Sequence, residues 1–128
     1  MKVAFASNEG RLLDCHFGQC KSFSIFDFGK KGYHWLETRS VSELQEETKE
    51  CDKFQLRVDL IKDCTVLFVT KIGGDATKRT LKAGIMILQS EQGSEIIPQL
   101  DQLQQMLKER PPLWLVNALK RHEEKSRS

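Results

Sequence analysis

Thr65-Val66-Leu67-Phe68-Val69-Thr70, followed after Lys71-Ile72 by Gly73-Gly74-Asp75, decides the fold. The first six residues are β-branched, aromatic or apolar, with no inside–outside alternation. That is the pattern of a central strand covered on both faces. Gly73-Gly74-Asp75 then opens a helix reaching about Ala83, with Asp75 placed as its N-cap and Gly84 placed to end it. Ile85 to Leu88 reads as the next strand. Strand, helix and strand in this order make a crossover unit, which puts its two strands parallel and side by side.

Working outward, Phe54, Val58 and Ile61 recur at helical spacing with Leu60 alongside, so Phe54–Lys62 is an amphipathic helix that Asp63-Cys64 breaks. After the second strand, Ser94 leads into a third helix. There Ile96, Leu100, Leu103 and Leu107 share a face, and Pro98 falls in the first turn. Pro111-Pro112 stops it, and Leu113–Leu119 is a short apolar segment that packs back on the body. Toward the N-terminus, Lys2–Ser7 is a buried strand and Asn8-Glu9-Gly10 a turn. Ser22–Phe28 carries apolar residues on both faces. Gly29-Lys30-Lys31-Gly32 is a hairpin turn, and Tyr33–Arg39 returns as a strand. Residues 40–53 are polar and acidic, a weak helix or a mobile connection. A β-meander feeding strand–helix units predicts an α/β fold, a single domain over residues 1–119 whose mixed β-sheet of about five strands is flanked by helices. Residues 120–128 form a charged, frayed tail in this reading.

Composition bounds the function. The chain has 128 residues and a formal charge of +2, enough length for one core. Lys120, Arg121, Lys125 and Arg127 against Glu123 and Glu124 place that whole excess in the tail, so the body sums to zero. No basic surface of the kind nucleic-acid binders carry is implied. No apolar run approaches the roughly 20 residues that span a bilayer, and Met1-Lys2-Val3-Ala4 enters a strand with no signal-peptide core. The expected setting is cytoplasmic, without membrane, where the four cysteines stay reduced.

The chemistry is concentrated in Asp14-Cys15-His16-Phe17-Gly18-Gln19-Cys20. Thiolate and imidazole are ligands for iron–sulfur clusters and borderline metals. His16, Cys15 and Cys20 are therefore the candidate metal ligands, and Lys21 supplies a neighbouring cation that favours a thiolate. The loop offers three ligands where a permanent cluster takes about four, and it lacks C-x-x-C spacing. For His16 the alternative to a ligand role is a hydrogen bond that fixes the loop; for Cys15 and Cys20 a ligand role and a buried apolar role stand side by side, because one of them can point inward. Phe17 reads as an anchor and Gly18 as a residue free to take positive φ. Cys64 reads as buried and Cys51 is undecided. His34 reads as a strand residue and His122 as part of the charged tail. Gly73 and Gly74 could present backbone N–H groups to an anion or simply make a turn, and Lys71, Lys78 and Arg79 could offset a cluster's charge or simply belong to a solvated helix face. No nucleophile–base–acid grouping appears, and Asp14, Asp27, Asp63 and Asp75 do not make a two-metal site.

Several stretches together resemble a known family. They are Lys2–Ala6, Asp14-x-His16-Phe17-Gly18, Lys21-Ser22-Phe23-x-Ile25, Arg57, Asp63-Cys64, Val66–Val69, Ile72-Gly73-Gly74, Ala83-Gly84-Ile85 and Pro111-Pro112-Leu113-Trp114-Leu115. Their order and spacing, from Lys2 to about Leu115, resemble the NifX-like dinitrogenase iron–molybdenum cofactor biosynthesis family. The resemblance implies a ribonuclease-H-like fold without nuclease chemistry. It implies a carrier, not an enzyme, that reversibly binds an iron–sulfur precursor of the nitrogenase cofactor and exchanges it with cofactor-assembly scaffold proteins. A monomer is expected. His16 maps onto the family's cluster-binding histidine; Lys21, Gly73 and Gly74 are added as candidate cofactor-binding residues from their own chemistry. Cys15 and Cys20 depart from the family pattern, so their ligation is an inference from chemistry. Two other readings stay open: a metal or redox sensor using Cys15, His16 and Cys20, and a metal-free interaction module that works through the Trp114 segment.

Overall fold

A computed structural model describes residues 1–41 and 52–127. Its elements are β1 Lys2–Ala6, β2 Leu12–Leu13, β3 Ser22–Gly29, β4 Gly32–Ser40, α1 Lys53–Ile61, β5 Val66–Val69, α2 Gly74–Lys82, β6 Met86–Gln89, β7 Ser94–Glu95, α3 Ile96–Lys108 and α4 Leu113–Arg127. Five of the strands form one sheet in the order β4-β3-β1-β5-β6. β1, β3 and β4 are antiparallel neighbours, whereas β5 runs parallel to both β1 and β6. This is the mixed α/β sheet predicted from the sequence, with the strand order of a ribonuclease-H-like fold.

The period-two alternation of the strands builds two cores. On one face Val3, Phe5, Phe26, Phe28, Val66 and Phe68 meet Ile96, Leu100, Leu103 and Leu107 of α3 and Leu115 and Ala118 of α4. Phe5 ties this layer together, stacked on Phe68 at 4.7 Å between centroids and edge-on to Phe26 at 5.6 Å. On the other face Ala4, Ala6, Phe23, Ile25, Leu67 and Val69 meet Val58 and Ile61 of α1, Ala76 of α2, and Cys15, Phe17 and Cys20 of the ligand loop. The loop is thus packed on the sheet as a helix would be.

Several local expectations change. α2 begins at Gly74 with Gly73 as an N-cap that makes no side-chain bond. Asp75 lies inside the first turn, where its carboxylate still meets the positive helix end and pairs with Arg79 at 3.1 Å. The side-chain cap belongs to α1 instead, where Asp52 accepts from the backbone N–H groups of Phe54 and Gln55. Gly84, at φ 84°, ends α2 as its sequence position implies. β2 and β7 pair with each other, Leu12 opposite Glu95 and Leu13 opposite Ser94; two residues are too short to read as strands in a sequence. The last helix continues through the charged segment expected to fray. Lys, Arg and Glu are good helix formers, and a helix already nucleated on a packed apolar turn extends cheaply. The weak helix or connection expected at 40–53 lies outside the described residues from 42 to 51; Val41 before it is buried.

The meander and α1 are joined by ions. Arg39 and Lys2 both bond Asp63, Lys2 at 2.9 Å. The Arg39 guanidinium first, and then Lys2, hold the Asp63 carboxyl well below the usual carboxylate range. A carboxyl depressed in the folded state stabilises the protein above its unfolded pKa of about 3.9, and that stability drains away as pH falls below it. The side chain keeps 42% of its exposure, so the contribution is about 1 kcal/mol or less. Urea midpoints measured from pH 7 down to pH 2 should fall less steeply below about pH 4 in Asp63→Asn than in the parent. Parallel profiles would show that the network carries no pH-dependent stability.

Candidate functional site

The ligand loop sits where β1, β5 and β6 all end. Open α/β sheets bind ligands at the carboxyl ends of their parallel strands, because the connections diverge there and leave a crevice. Asn8 follows β1, Thr70 and Lys71 follow β5, and Ser90 follows β6. Together with Asp14, Cys15, His16 and Gln19 of the loop, and Glu91 and Gln92, they line an open cavity of about 580 Å³. That volume lies within the range of about 300–1,000 Å³ usual for small-molecule sites.

The loop is held from several sides. Phe17 is fully buried, and with Gly18 and Gln19 it makes a single 3₁₀ turn. Its ring lies 5.8 Å from that of Phe23, as an anchor should. The Phe17 N–H donates to the Lys71 carbonyl at 2.9 Å, and the Thr70 hydroxyl to the Cys15 carbonyl at 3.0 Å. The Gln92 side-chain amide donates to the Asp14 carbonyl at 2.8 Å. Asp14 in turn accepts from the Asn8 backbone N–H at 3.0 Å.

This clamping leaves His16 exposed at the cavity, capping nothing with its side chain. Cys15 is 6% exposed and borders the same cavity, while Cys20 is fully buried behind it. Both thiols therefore face inward, not one of the two. Lys21, Gly73 and Gly74 are not among the cavity-lining residues. Of the three basic side chains expected near a cluster, Lys71 lines the cavity. Arg79 is committed to Asp52 and Asp75, and Lys78 is solvated on α2. With Asp14 and Glu91 opposite Lys71, the lining is more acidic than basic. Gln19 belongs to the loop itself, whereas Asn8, Thr70 and Ser90 went unnoticed in the sequence, where their only signal is position just after an apolar strand.

Beneath the loop, the Cys15 thiol donates to Cys20 Sγ at 2.6 Å, and the Cys20 thiol to the Ser22 carbonyl at 2.7 Å. The shared hydrogen bond, then burial, pushes the Cys15 thiol well up, while accepting that same bond draws Cys20 down. The pair thus gives up its first proton from Cys20, whose thiolate keeps the Cys15 hydrogen bond. Arg57 lies alongside, 1% exposed, donating from Nε to the Cys20 carbonyl at 2.8 Å and from Nη1 to the Lys53 carbonyl at 3.0 Å. Its positive charge favours the thiolate form of both cysteines. The sequence did carry a signal for it: Phe54, Arg57, Val58 and Ile61 occupy one helical stripe, and a charge inside an apolar stripe has to find partners.

Gly18 has a different role from the one predicted. It is not among the residues with positive φ; instead, a Cβ there would lie 2.7 Å from the Phe54 ring. The requirement is close approach. Gly18→Ala should cost about 1–2 kcal/mol by forcing that ring aside. Adding Phe54→Ala should cost less in the Gly18→Ala background than in the parent, a coupling that urea unfolding of the four variants would read. Strict additivity would mean that the ring does not constrain position 18.

The sequence profile of the family described as dinitrogenase iron-molybdenum cofactor matches residues 1–106. This chain belongs to that family. Protein NifX of Herbaspirillum seropedicae is 34% identical over 125 residues, covering 98% of this chain and 86% of that protein. Protein NifX of Azotobacter vinelandii is 31% identical over 121 residues, covering 94% of this chain and 76% of that protein. Among solved structures, the apo form of the orange protein from Desulfovibrio gigas is similar, with a TM-score of 0.58 at 16% identity over 87% of this chain and 90% of that one. At that identity the likeness is one of fold. Family membership agrees with the resemblance read from the Asp14–Gly18 loop and its flanking strands. The stretch matched by the profile contains the whole cavity lining.

Proposed function

We propose that this protein is a carrier that transiently binds an iron–sulfur precursor of the nitrogenase iron–molybdenum cofactor and hands it between assembly proteins. The observation that carries the reading is His16, an exposed imidazole at the mouth of a cavity of about 580 Å³ in a member of the dinitrogenase iron-molybdenum cofactor family. Imidazole replaces thiolate on some iron–sulfur clusters. One such ligand gives capture without permanence. Among the described residues no group of three or more His, Cys, Asp and Glu side chains is placed to hold a metal ion; partial ligation by the protein is what the carrier reading calls for. Cys15, beside His16 at the cavity, is the second candidate ligand once its proton is lost. Cys20 would reach the cargo only by displacing Cys15. Lys71 offsets part of the cargo's negative charge, and Asn8, Gln19 and Gln92 offer hydrogen bonds around it.

In this reading the protein is a carrier, not a catalyst, and works as a monomer in the cytoplasm with the scaffold proteins of nitrogenase maturation as donors and acceptors. No helix among the described residues is long and apolar enough to cross a membrane. The family assignment favours the carrier over a zinc-type sensor or a metal-free interaction module. Anaerobic titration of the apo-protein with isolated cofactor precursor, then gel filtration and iron analysis, tests it. Several irons retained per chain, and surrendered to an apo-assembly protein, are the expected result. Retained zinc with no iron uptake would overturn the reading in favour of the sensor.

A further inference from the structure

The two thiols of the loop pose a question that the carrier reading does not answer. Cys15 and Cys20 stand 2.6 Å apart, sulfur to sulfur, as free thiols. A disulfide bond is about 2.05 Å long, so bridging them needs little movement of either sulfur. The two are unequal in access. Cys15 borders the cavity and retains 6% exposure, whereas Cys20 has none. Behind them, the Ser22 carbonyl and the Arg57 guanidinium engage Cys20 through its thiol and its carbonyl oxygen, holding it against its neighbour.

We infer that Cys15 and Cys20 form a reversible oxidation site, converted to an intramolecular disulfide by exchange with a small-molecule disulfide. In the first step Cys15 Sγ attacks one sulfur of the reagent as its proton moves along its hydrogen bond toward Cys20 Sγ, forming a mixed disulfide and releasing one reagent thiolate. Cys20 then attacks Cys15 Sγ, the mixed disulfide breaks, and the second reagent thiolate leaves. Two protein thiols are oxidised, one reagent disulfide is reduced to two thiols, and the two protons pass to the departing sulfurs. Access assigns the order: Cys15 is attacked from the cavity, and Cys20 resolves from behind. The consequence for cargo rests on the carrier reading. The bridge removes both thiolates from the loop beside His16, so the oxidised chain holds an iron–sulfur cargo less well, and reduction restores it.

The chain itself supplies a clean readout. Trypsin cuts after Arg11 and Lys21, so residues 12–21 (Leu-Leu-Asp-Cys-His-Phe-Gly-Gln-Cys-Lys) carry both thiols and exclude Cys51 and Cys64. The full chain is equilibrated in mixtures of glutathione and glutathione disulfide, blocked with iodoacetamide, digested and weighed. As the mixture becomes oxidising, this peptide should lose both alkyl groups and appear two hydrogens lighter, and dithiothreitol should reverse the change. Cys20→Ser should stop at one glutathione on residue 15, and Cys15→Ser should leave Cys20 without glutathione. Full alkylation of both cysteines throughout, or a stable glutathione adduct in the parent, overturns the proposal. The peptide result stands whether or not the chain binds iron. Equal iron retention by reduced and oxidised chain would overturn the gating alone.

Discussion

His16→Ala should abolish iron retention through gel filtration while leaving stability within about 0.5 kcal/mol of the parent. The two halves of this expectation have separate causes. The imidazole is solvent-exposed and caps nothing, so the folded state loses no packing when it goes. The loop around it is held by the Phe17, Thr70, Asp14 and Gln92 bonds, none of which uses the His16 side chain. In the carrier reading, by contrast, cargo loses its exposed ligand at the cavity, and the remaining sulfur of Cys15 is nearly closed off and protonated. Parent and variant titrated side by side, with thermal unfolding of both, separate the cases. Undiminished iron in His16→Ala would move the site elsewhere, and a matching drop in melting temperature would make His16 a structural residue.

Arg57→Ala is expected to be the most destabilising single change near the site, by about 3 kcal/mol, or roughly 10 °C in melting temperature for a domain of this size. The side chain is 1% exposed and carries a charge. Truncation removes its hydrogen bonds to the Cys20 and Lys53 carbonyls and leaves a cavity beneath the loop. The Cys20 carbonyl loses a charged partner, and the loop loses its tie to α1. Denaturation midpoints measure the cost, and alkylation rates report the loop. Cys20, buried in the parent, should become reactive in Arg57→Ala faster than Cys64, which is equally buried beyond the loop. Equal changes at the two cysteines would mean general loosening. Arg57→Lys should fall between, because an ammonium keeps the charge but not the planar fork that reaches two carbonyls.

How much of this was legible in the sequence follows from the range of the forces involved. The strand Thr65–Thr70, the α3 stripe of Ile96, Leu100, Leu103 and Leu107, and Gly84 at the end of α2 are all local patterns, and all appear where they were read. The loop announced itself through three ligand-type residues close together. Gly18 was singled out for the wrong reason, because positive φ is a local property whereas contact with Phe54, far along the chain, is not. Asp75 was taken for the cap because its side chain suits one, but the cap is Gly73, two residues earlier. The 2.6 Å approach of Cys15 and Cys20 depends on a 3₁₀ turn that no periodicity signals.

The sequence by itself determined the meander, the crossover unit and the mixed sheet, and it marked Asp14–Cys20 as the candidate loop, because strand and helix periodicity and turn residues act within a few positions of one another. Only the tertiary structure decided which way the candidate ligands face. Packing Phe17 beneath the loop turned both thiols inward and His16 out. The parallel ends of β1, β5 and β6 brought Asn8, Lys71 and Ser90 to the same cavity from separate parts of the chain. Arg57 became part of the loop's foundation only when α1 docked on the sheet. These are contacts between residues tens of positions apart, and the free energy that selects them comes from closing a shared core, which no local stretch of the chain contains.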